Sequence, residues 1–162
     1  VGGNHEDRLR RFAWNNAPEL ADLDFMTVPG LLQLDGFFTI HWMGFEPLAL
    51  NKHLIAVHGD IARKHSCYSA KEMVSRYKTS VIVGHTHRMG MYYESGWAKE
   101  GWVGVENGHL MDVQKGQEAG AVPPAPNWQM GFTVVRTYKK NLFSISQAVI
   151  LRDKVYFEGG VW

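Results

Sequence analysis

The sequence predicts an α/β fold, and three observations predict it. A strand–loop–helix–strand order runs from Leu54 to Val83, the unit from which parallel sheets are built. Short apolar runs, Leu54-Ile55-Ala56-Val57 and Ser80-Val81-Ile82-Val83, bound that stretch as buried strands do. Beyond it, helical periodicity disappears and strand-like segments follow one another. The 162 residues suit a single domain spanning 1–162, and 45% apolar residues argue for a folded core rather than disorder.

Taken in order, the first element is a helix over Asp7 to Trp14, with Leu9, Phe12 and Ala13 on one face and Arg8, Arg10 and Arg11 towards solvent. Asn15-Asn16 ends it. Pro18 opens a second short helix, Glu19 to Leu23, because proline suits a first turn. Pro29-Gly30 breaks the chain, and Leu31 to Leu34 reads either as a short helix or as an extended arm. Phe37 to Trp42 reads as a strand. Leu54 to Val57 is a buried strand that leads straight into His58-Gly59-Asp60. The helix Ser69 to Tyr77 carries a capping box, Ser69 as N-cap and Glu72 at the third helical position, with Met73, Val74 and Tyr77 as its apolar stripe. Strands are then expected over Met89 to Tyr93, Trp102 to Glu106, Phe132 to Tyr138, Leu142 to Val149 and Lys154 to Phe157. Asn107-Gly108 and Lys140-Asn141 are turn signals. Pro123-Pro124-Ala125-Pro126 is a stiff surface crossing.

Composition narrows the function. Net charge is +1, from 17 basic and 16 acidic residues with no basic block, so charge lends no support to nucleic-acid binding. The single cysteine, Cys67, excludes an internal disulfide and suits a reducing, cytoplasmic setting. No base marks Cys67 as a nucleophile, and it reads as a buried or incidental thiol. No signal peptide is visible, and the longest apolar run is too short for a bilayer, so no membrane partner is expected. The chain opens without methionine, directly on Val1-Gly2-Gly3-Asn4, which is expected of a fragment or processed product.

The chemistry concentrates in three loops. Gly84-His85-Thr86-His87 closes the run Ser80 to Val83, and side chains at i and i+2 share a face if the backbone stays extended. Two imidazoles at a sheet rim suit zinc, iron, manganese or nickel; the plain alternative is a turn in which they cap backbone groups. His58 follows a strand, where α/β sheets bind ligands, and could equally be a satisfied core histidine. Gly3-Asn4-His5-Glu6 precedes a helix whose free N–H groups favour an anion. Asn4 offers an amide oxygen to a cation and His5 a proton donor; the alternative is a turn with Asn4 left-handed and His5 at the surface. Asp60 either orients an imidazole or caps a turn. Arg88 either holds a phosphate oxygen or is solvated, and His65 faces the substrate or, as the preferred reading, solvent. His41, His53 and His109 read as structural or exposed. The six tryptophans are scattered, and packing explains most of them.

Gly3-Asn4-His5-Glu6, then His58-Gly59, then Gly84-His85-Thr86-His87 resembles, in order and strand-end placement, the later half of the calcineurin-like metallophosphoesterase motif series. Glu19-Leu20-Ala21-Asp22-Leu23 and Asn127-Trp128-Gln129-Met130-Gly131-Phe132 look like its phage and prophage branch. The resemblance implies part of a four-layer α-β-β-α sandwich and a hydrolase using two divalent metal ions, manganese, iron or zinc. It implies Asn4, His58 and His85 as ligands of one metal, His87 as a ligand of the other, and His5 as the catalytic residue that contacts the scissile phosphate and assists the leaving group. Two metals about 3.5–4 Å apart clamp a phosphate and acidify water. The implied substrates are a phosphomonoester, a nucleotide or a nucleic-acid phosphodiester.

The family's Asp-x-His and Gly-Asp-x-x-Asp loops have no counterpart upstream, and Asp35 and Asp60 stand in the wrong order and context to replace them. The domain is therefore expected to be N-terminally incomplete and weakly active alone, its site completed by residues outside this chain, on a partner chain, an oligomer or a longer protein. The alternative is a non-catalytic structural or binding module derived from a metallophosphoesterase.

Overall fold

The computed structural model describes residues 2–21, 23, 26–31, 33, 46–96, 99–120 and 122–162. The chain divides into two compact units, Val1–Leu48 and Ala49–Trp162.

In the first unit, helix α1 spans Asn4–Asn16. It starts three residues before the expected Asp7, because the Asp7 N–H bonds to the Gly3 carbonyl at 3.2 Å and closes a turn over the presumed loop. The Asp7 carboxylate also holds Arg10 at 2.7 Å and Arg11 at 2.5 Å. Of the expected apolar face, Ala13 is buried and Leu9 partly so, but Phe12 is 64% exposed. The second helix shrinks to one 3-10 turn, Pro18–Leu20. A four-residue helix α2, Val28–Leu31, resolves the start of the Leu31 to Leu34 ambiguity; the Thr27 hydroxyl accepts the Gly30 N–H at 3.1 Å at its start. The expected strand Phe37 to Trp42 lies outside the described residues.

The second unit holds two sheets, so the molecule is a mixed α/β fold. Strands β1 (Leu48–Asn51), β2 (Leu54–Val57), β3 (Ser80–Val83), β4 (Met89–Gly96) and β5 (Lys99–Asn107) form one, in the order β1-β2-β3-β5-β4. Strands β6 (Gly131–Thr137), β7 (Phe143–Leu151), β8 (Lys154–Phe157) and β9 (Gly160–Val161) follow one another in the other. β2, β3 and β5 are parallel, with Val57 opposite Val83, and β4 folds back antiparallel on β5. Helix α3, Tyr68–Tyr77, is the crossover between β2 and β3.

Strand alternation divides the core into two faces. Val57, Val81 and Val83 meet Ala70, Met73 and Val74 of α3 on one. Leu54, Ile82 and Val105 face the other way and meet Val135, Phe143 and Ile145 of the second sheet. Helix, sheet and sheet thus stack in that order. Gly104 lets α3 come close: a Cβ there would lie 2.9 Å from the Ala70 carbonyl oxygen.

The capping box is not what starts α3. Ser69 is the second helical residue, Cys67 stands at the N-cap with φ +71°, and the Ser69 hydroxyl accepts the Arg63 N–H at 2.9 Å. The helix N-terminus is instead closed from the sheet. The fully buried Glu106 of β5 accepts the N–H groups of Ser69 at 3.1 Å and Ala70 at 3.4 Å. A carboxylate against free N–H groups and the positive end of a helix is a charge-assisted contact, stronger than a serine cap. Helix α4, Val113–Glu118, contradicts the expectation that helices end before Val83; Asp112 caps it by accepting the Lys115 N–H at 3.1 Å. The β6–β7 hairpin turns at Lys140 and Asn141, both left-handed, as expected. Pro123 to Ala125 are exposed, and Ala125 at φ +48° interrupts their extended course.

Candidate functional site

Because β2 and β3 end side by side, the residues that follow them leave the sheet at one edge. The His58 carbonyl accepts the N–H groups of Gly84 at 3.1 Å and His85 at 2.8 Å, which ties the two loops together. Gly59 then turns away at φ +89°, and a Cβ on it would lie 3.6 Å from that of His85. The structure so brings two of the expected ligands into contact. His58 Nε2 stands 3.1 Å from His85 Nδ1, the rings nearly perpendicular at 75°. That distance suits a hydrogen bond between two neutral imidazoles. It also suits adjacent ligands of one ion: nitrogens about 2.0–2.1 Å from a metal, at angles between square and tetrahedral, are roughly 3.0–3.4 Å apart.

His87 takes other company. The backbone does not stay extended: the His87 N–H turns back to the Gly84 carbonyl at 3.3 Å, and His87 is left-handed at φ +56°. Thr86, between them, points into the core and donates to Glu106 at 3.2 Å. The His87 ring lies 4.4 Å from Trp128 and 6.1 Å from His109. Among the described residues, no three of histidine, cysteine, aspartate and glutamate form a group that could hold a metal ion. The His58–His85 pair fits two positions of one ion, and further ligands would have to come from elsewhere.

Around this rim, each remaining expectation finds its place. Arg88 is buried and donates to the Lys64 carbonyl at 2.9 Å and to that of Arg63, so it holds the loop after His58 rather than facing solvent or a phosphate. Asp60 pairs with Arg76 at 2.7 Å at the surface. His65 is exposed beside Tyr68, as expected. Asn4 and His5 are the first two residues of α1 rather than a loop before it; their side chains, like those of His41 and Asp35, are outside the described ones.

Two residues at this rim were not expected there. His109 follows β5 through Gly108, and its Nδ1 accepts the Met111 N–H at 3.2 Å. Burial pushes its imidazole below the usual histidine pKa. Strand, glycine, histidine is the pattern of Val83-Gly84-His85, and Val105-Glu106-Asn107-Gly108-His109 repeats it with two polar residues inserted. Trp128 packs edge to face on His87 and 6.0 Å from His109. Among the described residues, no helix is long and apolar enough to cross a membrane.

No protein-family model matches the chain, and no solved structure matches it significantly. It is similar to the "Gene 54 protein" of Mycobacterium phage D29, 30% identical over 170 residues that take in 99% of this chain and 64% of that protein. It is similar also to the "Gene 54 protein" of Mycobacterium phage L5, 31% identical over 143 residues, 82% of this chain and 54% of that protein. The chain thus spans less than two thirds of the length of these relatives. Both are phage proteins, and their names carry no activity.

Proposed function

We propose that the protein contributes to a metal-dependent phosphoesterase of the calcineurin-like kind, hydrolysing a phosphomonoester or phosphodiester. The observation that supports this reading best is the His58–His85 pair, 3.1 Å apart at the carboxyl ends of neighbouring parallel strands. In this reading His58 and His85 hold one divalent ion, manganese, iron or zinc, and His87 belongs to a second. The helix–sheet–sheet stack of the second unit is then part of a four-layer α-β-β-α sandwich. The bridging carboxylate that such a centre needs is assigned to residues outside these 162.

When bound, the two ions would neutralise phosphate charge and acidify water. The chain's own residues do the rest. The His58 carbonyl, by accepting two N–H groups from the next loop, fixes the relative position of the two imidazoles. Arg88, just before β4, ties the loop after His58 through the Arg63 and Lys64 carbonyls.

The test uses the full-length protein. Manganese binding is measured by calorimetry, and hydrolysis with an aryl phosphate monoester and diester. The expected result is manganese-dependent turnover that falls in His58→Ala and His85→Ala together with manganese affinity. Wild-type protein that binds no manganese, or variants that bind it equally well, would refute the proposal and favour a non-catalytic module.

A further inference from the structure

The geometry points to Trp128 as a positioning residue that fixes the His87 imidazole before any ligand arrives. The inference rests on the reading of His87 as a metal ligand for its catalytic consequence, though not for its test.

The His87 N–H turns back to the Gly84 carbonyl at 3.3 Å, which fixes its backbone within the loop. Its left-handed backbone, at φ +56°, breaks the alternation that would have aimed it beside His85. The indole of Trp128 meets the ring, 4.4 Å away at 76°. Rings at that distance and angle attract through edge-to-face contact and restrict each other's rotation.

The indole is itself carried on a strap that is bonded on both sides. The Gln129 N–H donates to the His87 carbonyl at 3.0 Å, and the Gln129 side-chain oxygen accepts the Met89 N–H at 3.1 Å. The Gln129 carbonyl in turn accepts the His109 N–H at 3.1 Å, and within the strap the Gln129 side-chain nitrogen donates to Asn127 at 3.0 Å. The strap enters between the two loops because Gly108 leaves room. A Cβ there would stand 2.9 Å from the Gln129 carbonyl oxygen and 2.7 Å from Met89 Cγ. The His109 ring stands 6.0 Å from the indole and 6.1 Å from the His87 ring. Trp128 is thus carried by a strap whose next residue, Gln129, is bonded to His87, Met89 and His109, while its own ring meets His87, the arrangement by which residues behind a ligand tune its binding.

The test reads the histidine ring signals of metal-free, full-length protein by nitrogen-edited NMR, in wild type, Trp128→Leu and Trp128→Phe. Expected is one narrow His87 set in wild type, shifted and broadened in Trp128→Leu as the ring samples several rotamers, and restored in Trp128→Phe. Manganese affinity, read on the same three proteins, should fall roughly tenfold in Trp128→Leu and recover in Trp128→Phe. His87 signals in Trp128→Leu identical to wild type would overturn the inference. If Trp128→Leu does not fold, Gln129→Ala releases the strap from Met89, and unmoved His87 signals there would overturn it too. A wild type that binds no manganese refutes the metal reading, while the ring signals still decide the role of Trp128.

Discussion

His58 and His85 face each other nitrogen to nitrogen at 3.1 Å, and the His58 carbonyl takes two N–H groups from the Gly84-His85 peptide. The pair is therefore held by backbone as well as by ring contact. Without metal, one ring must hold the proton that the other accepts, so an incoming ion competes with that bond.

In the proposed metal reading the two rings act as a single unit. Alanine at either position should weaken manganese binding by roughly tenfold or more, and alanine at both should cost little beyond that, because contacting residues are not additive. Calorimetric titration of the two single variants and the double variant measures the coupling. Additive losses would mean that the rings bind separately.

Glu106 supports a prediction about stability. It is fully buried and serves three donors, the N–H groups of Ser69 and Ala70 and the hydroxyl of Thr86. Glu106→Ala leaves all three buried without that acceptor, at about 1–3 kcal/mol each before relaxation. A loss of about 3 kcal/mol or more is expected in urea unfolding. Glu106→Gln keeps one oxygen and should cost less, and Thr86→Val, which removes one donor, least. Any other ranking would show that the carboxylate does not close the helix start.

Much of this architecture was legible in local pattern. β2 and β8 match the expected Leu54 to Val57 and Lys154 to Phe157, and α3 ends at Tyr77 as expected, because each is bounded by a sharp change from apolar to polar or turn-forming residues. What local pattern missed was decided at a distance. Ser69 and Glu72 have the capping-box spacing, yet a carboxylate 37 residues further on took the cap. The i, i+2 argument for His85 and His87 needed an extended backbone, and the burial of Thr86 against Glu106 bends it. Helix α4 is short and contains Gly116, which hides its periodicity. Of the site, the His58–His85 meeting followed from adjacent strand ends, but the placing of Trp128 and His109 depended on where a strap 40 residues along the chain would dock.

Two glycines should respond oppositely to alanine. At Gly104, a Cβ would press on the Ala70 carbonyl oxygen at 2.9 Å and Val74 Cγ2 at 3.0 Å, so α3 must lift from the sheet. Overpacking of this kind costs about 1–3 kcal/mol. At Gly84, between β3 and His85, a Cβ meets nothing within 4 Å, and φ is not left-handed. Gly84→Ala should leave the unfolding midpoint nearly unchanged. Thermal melts of both variants provide the comparison, and a destabilising Gly84→Ala would mean that the loop needs glycine for a reason other than space.

Cys67 gives a pH dependence. Its sulfur lies against β4, where a Cβ on Gly90 would come within 2.4 Å of it. Burial pushes the Cys67 thiol up, and the nearby Glu106 charge pushes it further. A thiol raised in the folded state keeps its proton to higher pH than in the unfolded chain. Its contribution to stability is therefore fully present below the unfolded thiol pKa and is lost as pH rises through the folded one. Alkylation of the native protein should accordingly reach half its maximal rate above about pH 8.5, the value for a free cysteine. Cys67→Ser, which does not titrate there, should flatten the alkaline decline in stability. Glu106→Gln, where it folds, should bring the alkylation midpoint down without abolishing the shift, since burial is the larger cause. A native midpoint at or below that of the urea-unfolded protein would show that the thiol is not held in its protonated form.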